Sequence, residues 1–111
     1  MEFKFVKIVV FVPTSHAEKI REALSRAGCG HIGNYDSCSF SSKGIGRFRG
    51  LTGTKPFVGK SGQMEEIEEE RIETICPSEK IDEVMMAIKK EHPYEEPAVD
   101  VYPLLNQGQL G

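Results

Sequence analysis

Two groups of side chains in this 111-residue sequence are competent for metal or ligand chemistry. Cys29, His31, Asp36 and Cys38 fall within ten residues of one another, and His92, Glu95 and Glu96 sit in the run His92-Pro93-Tyr94-Glu95-Glu96-Pro97. Imidazole, thiolate and carboxylate groups bind zinc or copper when three or four of them converge at about 2.0–2.3 Å. Both groups follow a helix-like stretch, so the reading brings them to one end of the fold, where His31, Cys38, His92 and Glu95 would supply a divalent-metal site. Spacing alone leaves ordinary loop and strand-edge roles open for the same residues. Arg47 and Arg49, two apart on an extended segment, point to one side, where they form a solvated or interface face or meet a phosphate or carboxylate as a pair. With Asn34, Tyr35, Asp36, Tyr94 and Glu95 they complete the candidate ligand-binding set.

Catalytic constellations are harder to find. Gly28-Cys29-Gly30-His31-Ile32-Gly33 satisfies G-x-G-x-x-G, but that fingerprint must open a helix so that amide groups face a pyrophosphate, and here its first glycine closes one. Ser39, Ser41 and Ser42 lack a nucleophile elbow and a positioned base. Glu95 and Glu96 are adjacent and need not share a site, so a general acid/base pair is not indicated. The chain reads as a binding module rather than an enzyme.

The elements that must carry these residues are legible from patterning. Phe3 to Val12 is dense in β-branched and aromatic residues and apolar throughout its second half, as in a strand covered on both faces. Pro13 stops it, and Ser15-x-x-Glu18 has the form of a capping box. Ala17, Ile20, Leu24 and Ala27 then recur at helical spacing, giving a helix over 15–27 closed by Gly28. Ile67 to Cys76 is a strand ending at Pro77-Ser78, which again reads as a stop and a cap. Ile81, Val84, Met85 and Ile88 mark the buried face of a second helix, which Pro93 ends. Ala98 to Tyr102 is the last strand. Between them lies a glycine-rich middle, with one short strand at Ser37 to Ser42 and another near Arg47 to Leu51. The plan is α+β, a ferredoxin-like βαββαβ domain over 1–104 with an extended glycine-rich hairpin between the second and third core strands and a flexible tail over 105–111. The acidic run Glu65 to Glu70 is expected on a solvated strand edge, where charge discourages sheet-to-sheet pairing.

Composition limits the function classes. A formal charge of −3 with scattered basic residues offers no footprint for a phosphate backbone, so nucleic acid is not an expected partner. No apolar run approaches the ~20 residues that span a bilayer. Three cysteines, an odd number without a C-x-x-C pair, fit a reducing cytoplasm better than a disulfide framework.

The run Gly30-His31-Ile32-Gly33-Asn34-Tyr35-Asp36-x-Cys38-Ser39-Phe40-Ser41-Ser42, continued by Gly44-x-Gly46-x-Phe48-Arg49 and Pro56-Phe57-x-Gly59, resembles the domain inserted into bacterial NIF-three-like proteins, also called GTP cyclohydrolase I type 2 homologues. Arg71-Ile72-Glu73-Thr74, His92-Pro93-Tyr94-Glu95-Glu96-Pro97 and Asp100-x-Tyr102-Pro103 fit the same domain. His-Pro-Tyr-Glu-x-Pro also resembles a motif of the CutA divalent-ion-tolerance proteins, which are similar in build to PII signalling proteins. The resemblance covers nearly the whole chain and implies a PII-like or CutA-like homo-oligomer, with a trimer favoured. The two-metal site of NIF-three-like proteins belongs to their flanking domains, so the resemblance does not bring it here. It implies either a regulatory module that binds a small ligand or divalent metal, an accessory to a NIF-three-like two-metal hydrolase, or a dedicated metal-binding protein of ion-tolerance type.

Overall fold

The computed structural model describes residues 3–106. Strand β1 (Phe5–Pro13) is followed by a 3₁₀ turn and helix α1 (Ala17–Arg26). Strands β2 (Phe40–Arg49) and β3 (Met64–Pro77) form a long hairpin, and a second 3₁₀ turn leads into helix α2 (Ile81–Glu91) and strand β4 (Ala98–Pro103). The sheet order is β2-β3-β1-β4, antiparallel at each pairing. This is the α+β, βαββαβ plan that the patterning predicts.

Alternation along β1 divides the sheet into two faces. Val6, Ile8, Val10 and Val12 join Ile72 and Cys76 of β3 under Ile20 and Leu24 of α1 and Val84 and Ile88 of α2. Ile8, Ile20, Ile72 and Val84 have no solvent exposure, and each such side chain contributes about 1.5–3 kcal/mol by leaving water. Val9 is equally inaccessible although it projects to the face away from the helices, in agreement with the unbroken apolar run of β1.

Several local expectations are corrected. The proposed capping box is not formed: α1 begins after a 3₁₀ turn over Thr14–His16 with no side-chain cap, and Ser15 Oγ instead lies 2.9 Å from the neighbouring His16 Nδ1. Ser78 likewise caps nothing, and its buried hydroxyl has no hydrogen-bond partner among the described residues. In both places Pro fixes an extended backbone that feeds a 3₁₀ turn, so the hydroxyl is carried away from the amides of the α-helix proper. The helix end is as expected, because Gly28 is left-handed (φ 99°) and the amides of Gly28 and Cys29 bond to the carbonyls of Ser25 and Leu24, a Schellman closure.

The middle differs more. The two short strands expected at 37–42 and 47–51 are one continuous strand, β2, which passes through Gly44 and Gly46 in unbroken register with β3. The acidic run is on an edge only in its outer part: Glu65 to Glu68 pair with β2 alone, as expected, whereas Glu69 and Glu70 lie between β2 and β1, paired with Pro13 and Val12. Glu70 is only 7% exposed and accepts from Arg21 of α1 at 2.7 Å. Of the tail expected over 105–111, Leu105 is almost fully exposed and 107–111 lie outside the described residues.

Candidate functional site

Strand direction decides which candidates can meet. Because β1 and β3 are antiparallel, the helices that follow them also run in opposite directions, and their C-terminal turns lie at opposite ends of the sheet. The turn after α1 packs where Gly30 N–H bonds Ile75 O at 2.7 Å and Thr74 Oγ1 donates to Cys38 O at 2.7 Å. The turn after α2 packs where His92 bonds Phe11 O. Thr74 is level with Ile8 in the register, three residues from Phe11, which is about 10 Å of strand. The expectation of one shared rim for the two motifs is therefore wrong within a chain: following a helix does not fix the end of the fold when the preceding strands are antiparallel.

The metal set is separated by the same geometry. His31 and Cys38 belong to one end, and His92 and Glu95 to the other. His92 is moreover fully engaged: Tyr94 N–H donates to its Nδ1 at 3.2 Å, so Nε2 carries the proton and donates to Phe11 O at 2.7 Å. No ring lone pair is left for a metal. Burial lowers the pKa of His92 and favours this neutral form. Glu95 Oε1 accepts from Lys55 N–H at 2.8 Å. Among the described residues no three His, Cys, Asp or Glu side chains are grouped to hold a metal ion, and the proposed zinc or copper ligands of one chain do not fit such an ion.

The ligand set divides as well. Asn34, Tyr35 and Asp36 form an exposed turn beside the end of α1, bridged by reciprocal bonds between Ile32 and Tyr35. Arg47, Arg49, Tyr94 and Glu95, in contrast, line one cleft of about 480 Å³ with Phe11, Phe48, Phe57 and Glu69. Its walls are the outer part of the β2–β3 hairpin, the loop over 50–63, and the loop over 92–97.

Each wall is tied to the others by particular bonds. Tyr94 OH donates to Glu69 Oε2 at 2.6 Å, and burial together with this bond raises the phenol's pKa, keeping it protonated. Gly46 of β2 gives the Glu69 carboxylate its room, since a Cβ there would collide with it. The Tyr94 ring lies 4.9 Å from that of His92, 5.9 Å from Phe48 and 6.2 Å from Phe57, and Phe57 meets His16 edge-on at 5.4 Å. Arg47 is paired with Glu66 at 2.7 Å, whereas no ion pair is found for Arg49 among the described residues. The cleft thus offers aromatic surface, a guanidinium in Arg49 and exposed carboxylate in Glu96, a surface suited to a small flat ligand with polar ends. Sequence reasoning missed Glu69, which was absorbed into the acidic run. The signal available was Gly46, a residue without a side chain on a strand facing a glutamate-rich one.

No family model matches the chain. It is 55% identical over 103 residues to the GTP cyclohydrolase 1 type 2 homolog of Halalkalibacterium halodurans, covering 93% of this chain and 28% of that protein. The homolog of Bacillus subtilis is 49% identical over 98 residues, with 88% and 26% covered. A solved Bacillus cereus protein related to NIF3 superimposes with a TM-score of 0.78 at 50% identity, over 96% of this chain and 27% of that one. The chain corresponds to one domain of these NIF3-like proteins. It spans little more than a quarter of their length. The periplasmic divalent cation tolerance protein CutA of Archaeoglobus fulgidus matches with a TM-score of 0.67 at 20% identity, over 92% of this chain and 85% of that one. At that identity the likeness is one of fold, and the NIF3-like domain described here has the CutA-like fold. No helix among the described residues is long and apolar enough to cross a membrane.

Proposed function

We propose that this NIF3-like domain is a non-catalytic, homo-oligomeric PII/CutA-like module, folding as one unit over 1–104, that binds a small ligand in a regulatory role. The observation that carries the reading is the cleft of about 480 Å³ between the hairpin and the loop over 92–97, with Arg49, Tyr94 and Glu96 at its surface. That volume suits a ligand of metabolite size. Self-association is supported by the large apolar side chains left in water on the hairpin and the outer sheet face: Phe40, Ile45, Leu51 and Met64 are each more than half exposed. A trimer is the arrangement proposed, and the three free thiols support a cytoplasmic setting. Sedimentation velocity of the purified chain tests the oligomer, with a single species heavier than a monomer expected and a monomer at all concentrations contradicting it. Thermal-shift screening against carboxylated and phosphorylated aromatic metabolites tests the cleft, and stabilisation that disappears in Arg49→Ala is the expected result.

A second reading has its own support. The chain spans just over a quarter of its NIF3-like relatives, so the module can serve as an accessory to a separate two-metal protein of that kind. Co-purification with such a partner would favour this role. A dedicated metal-binding role would need ligands from more than one copy, because the chain itself gathers no such set.

A further inference from the structure

At the end of the fold away from the cleft, two cysteines distant in sequence come together in the core. The Schellman closure of α1 sets Cys29 down immediately after left-handed Gly28, and the bond from Gly30 N–H to Ile75 O at 2.7 Å lays residues 29–30 alongside 75–76. Cys29 and Cys76 are 3% and 0% exposed and belong to one apolar cluster. Cys38 stands apart, half-buried, with its thiol 3.7 Å from Asp36 O. The three thiols are therefore a facing pair and a single, not the unrelated odd set that spacing implies.

We propose that Cys29 and Cys76 form a peroxide-responsive dithiol, oxidised to an intramolecular disulfide that pins the turn after α1 to the end of β3. The surroundings favour Cys76 as the attacking group. The Cys76 thiol donates to Pro77 O at 3.2 Å, and the adjacent Cys29 thiol lowers the pKa of Cys76 while its own is raised, with the Lys80 ammonium favouring the thiolate of either. Lys80 is held close, because its side chain lies against Gly28, where a Cβ would come within 2.6 Å of Nζ.

The chemistry balances with hydrogen peroxide as oxidant. The Cys76 thiolate attacks one peroxide oxygen, the S–O bond forms as the O–O bond breaks, and the departing hydroxide takes the thiol's proton and leaves as water. The Cys29 sulfur then attacks the sulfenic sulfur, the S–S bond forms as the S–O bond breaks, and a second water leaves with the Cys29 proton. Two thiols lose two electrons and one peroxide is reduced to two waters. Burial admits an oxidant of water's size more readily than a bulky disulfide, and the fixed neighbour intercepts the sulfenic acid before further oxidation. The device does not depend on the cleft and stands or falls without it.

The test uses the whole chain, wild type and Cys38→Ser, treated with hydrogen peroxide and then alkylated, with intact-mass and peptide mapping. Cys29 and Cys76 are expected to lose reactivity together, with a mass decrease of two hydrogens, a cross-linked Cys29–Cys76 peptide and reversal by reductant. The oxidised chain should melt higher by on the order of 10 °C, because the link constrains the unfolded chain. Lys80→Met should slow the reaction several-fold without preventing it. The proposal is overturned if both thiols stay reduced under native conditions, if they oxidise singly to sulfinic acids, or if the cross-link forms only in denaturant.

Discussion

Where β1 lies beside β3, the sheet is covered by two helices, and Val10, Val12, Ile72 and Val84 are sealed from water. Past Pro13, which pairs with Glu69, β2 and β3 continue as a two-stranded ribbon with Ile45 and Met64, and Leu51 in the loop beyond them, largely exposed. The first region is held by apolar burial and the second by a few polar and aromatic contacts, chiefly Tyr94 to Glu69 and Glu95 to Lys55 N–H. A ribbon of that kind is marginal by itself. The contrast implies a rigid platform and an adaptable arm, with the candidate cleft built where the arm meets the platform. Substitutions on the two sides should accordingly differ in kind as well as in size.

The largest loss is expected in the platform. Ile72→Ala removes a fully buried side chain beneath both helices and should cost about 3–4 kcal/mol in urea denaturation. Arg21→Ala comes next, because it strands the carboxylate of Glu70 in a nearly inaccessible position. With Arg21 itself partly solvated, a loss of about 2 kcal/mol is expected. In the arm, Tyr94→Phe should cost about 1 kcal/mol globally. Its clearer mark is faster amide exchange over 50–63 with unchanged exchange in β1, and equal acceleration in both regions would erase the proposed distinction. Arg47→Ala breaks an exposed ion pair and should change stability by less than about 0.5 kcal/mol.

An acid titration sharpens the same boundary. Burial depresses the pKa of His92, so the unfolded chain takes up a proton that the folded chain resists. Stability from this residue is present above the ordinary histidine pKa of about 6.5 and is lost as pH falls below it. His92→Gln should flatten that part of the stability profile. An unchanged profile would mean that His92 is not held neutral between Phe11 O and Tyr94 N–H.

How much of this was legible follows from the range of each interaction. The apolar run of β1, the helical spacing of Ile20 and Leu24, and the left-handed need at Gly28 are local, and all three are realised. The continuity of β2 was hidden because Gly44 and Gly46 read as interruptions, whereas pairing with a long β3 carries the strand through them. The acidic run reads as a solvated edge, which holds for Glu65 to Glu68 and fails for Glu69 and Glu70, because β1 and the side chains of Tyr94 and Arg21 that cover them come from distant segments. Arg47, Arg49, Tyr94 and Glu95 do line one cleft, but His31 and Cys38 could not join them once β1 and β3 were antiparallel. The Cys29–Cys76 pair is likewise a product of register, with nothing in cysteine spacing to announce it.

The central claim is that ligand recognition belongs to the cleft between the hairpin and the loop over 92–97, away from the turn after α1. The most direct measurement is an amide chemical-shift map of the chain titrated with the best-stabilising aromatic carboxylate or phosphate from the thermal screen. Shifts at Phe48, Arg49, Leu51, Tyr94 and Glu95, with His31 to Cys38 silent, are the predicted result. Shifts centred on Asn34, Tyr35 and Asp36, with the cleft unmoved, would contradict it.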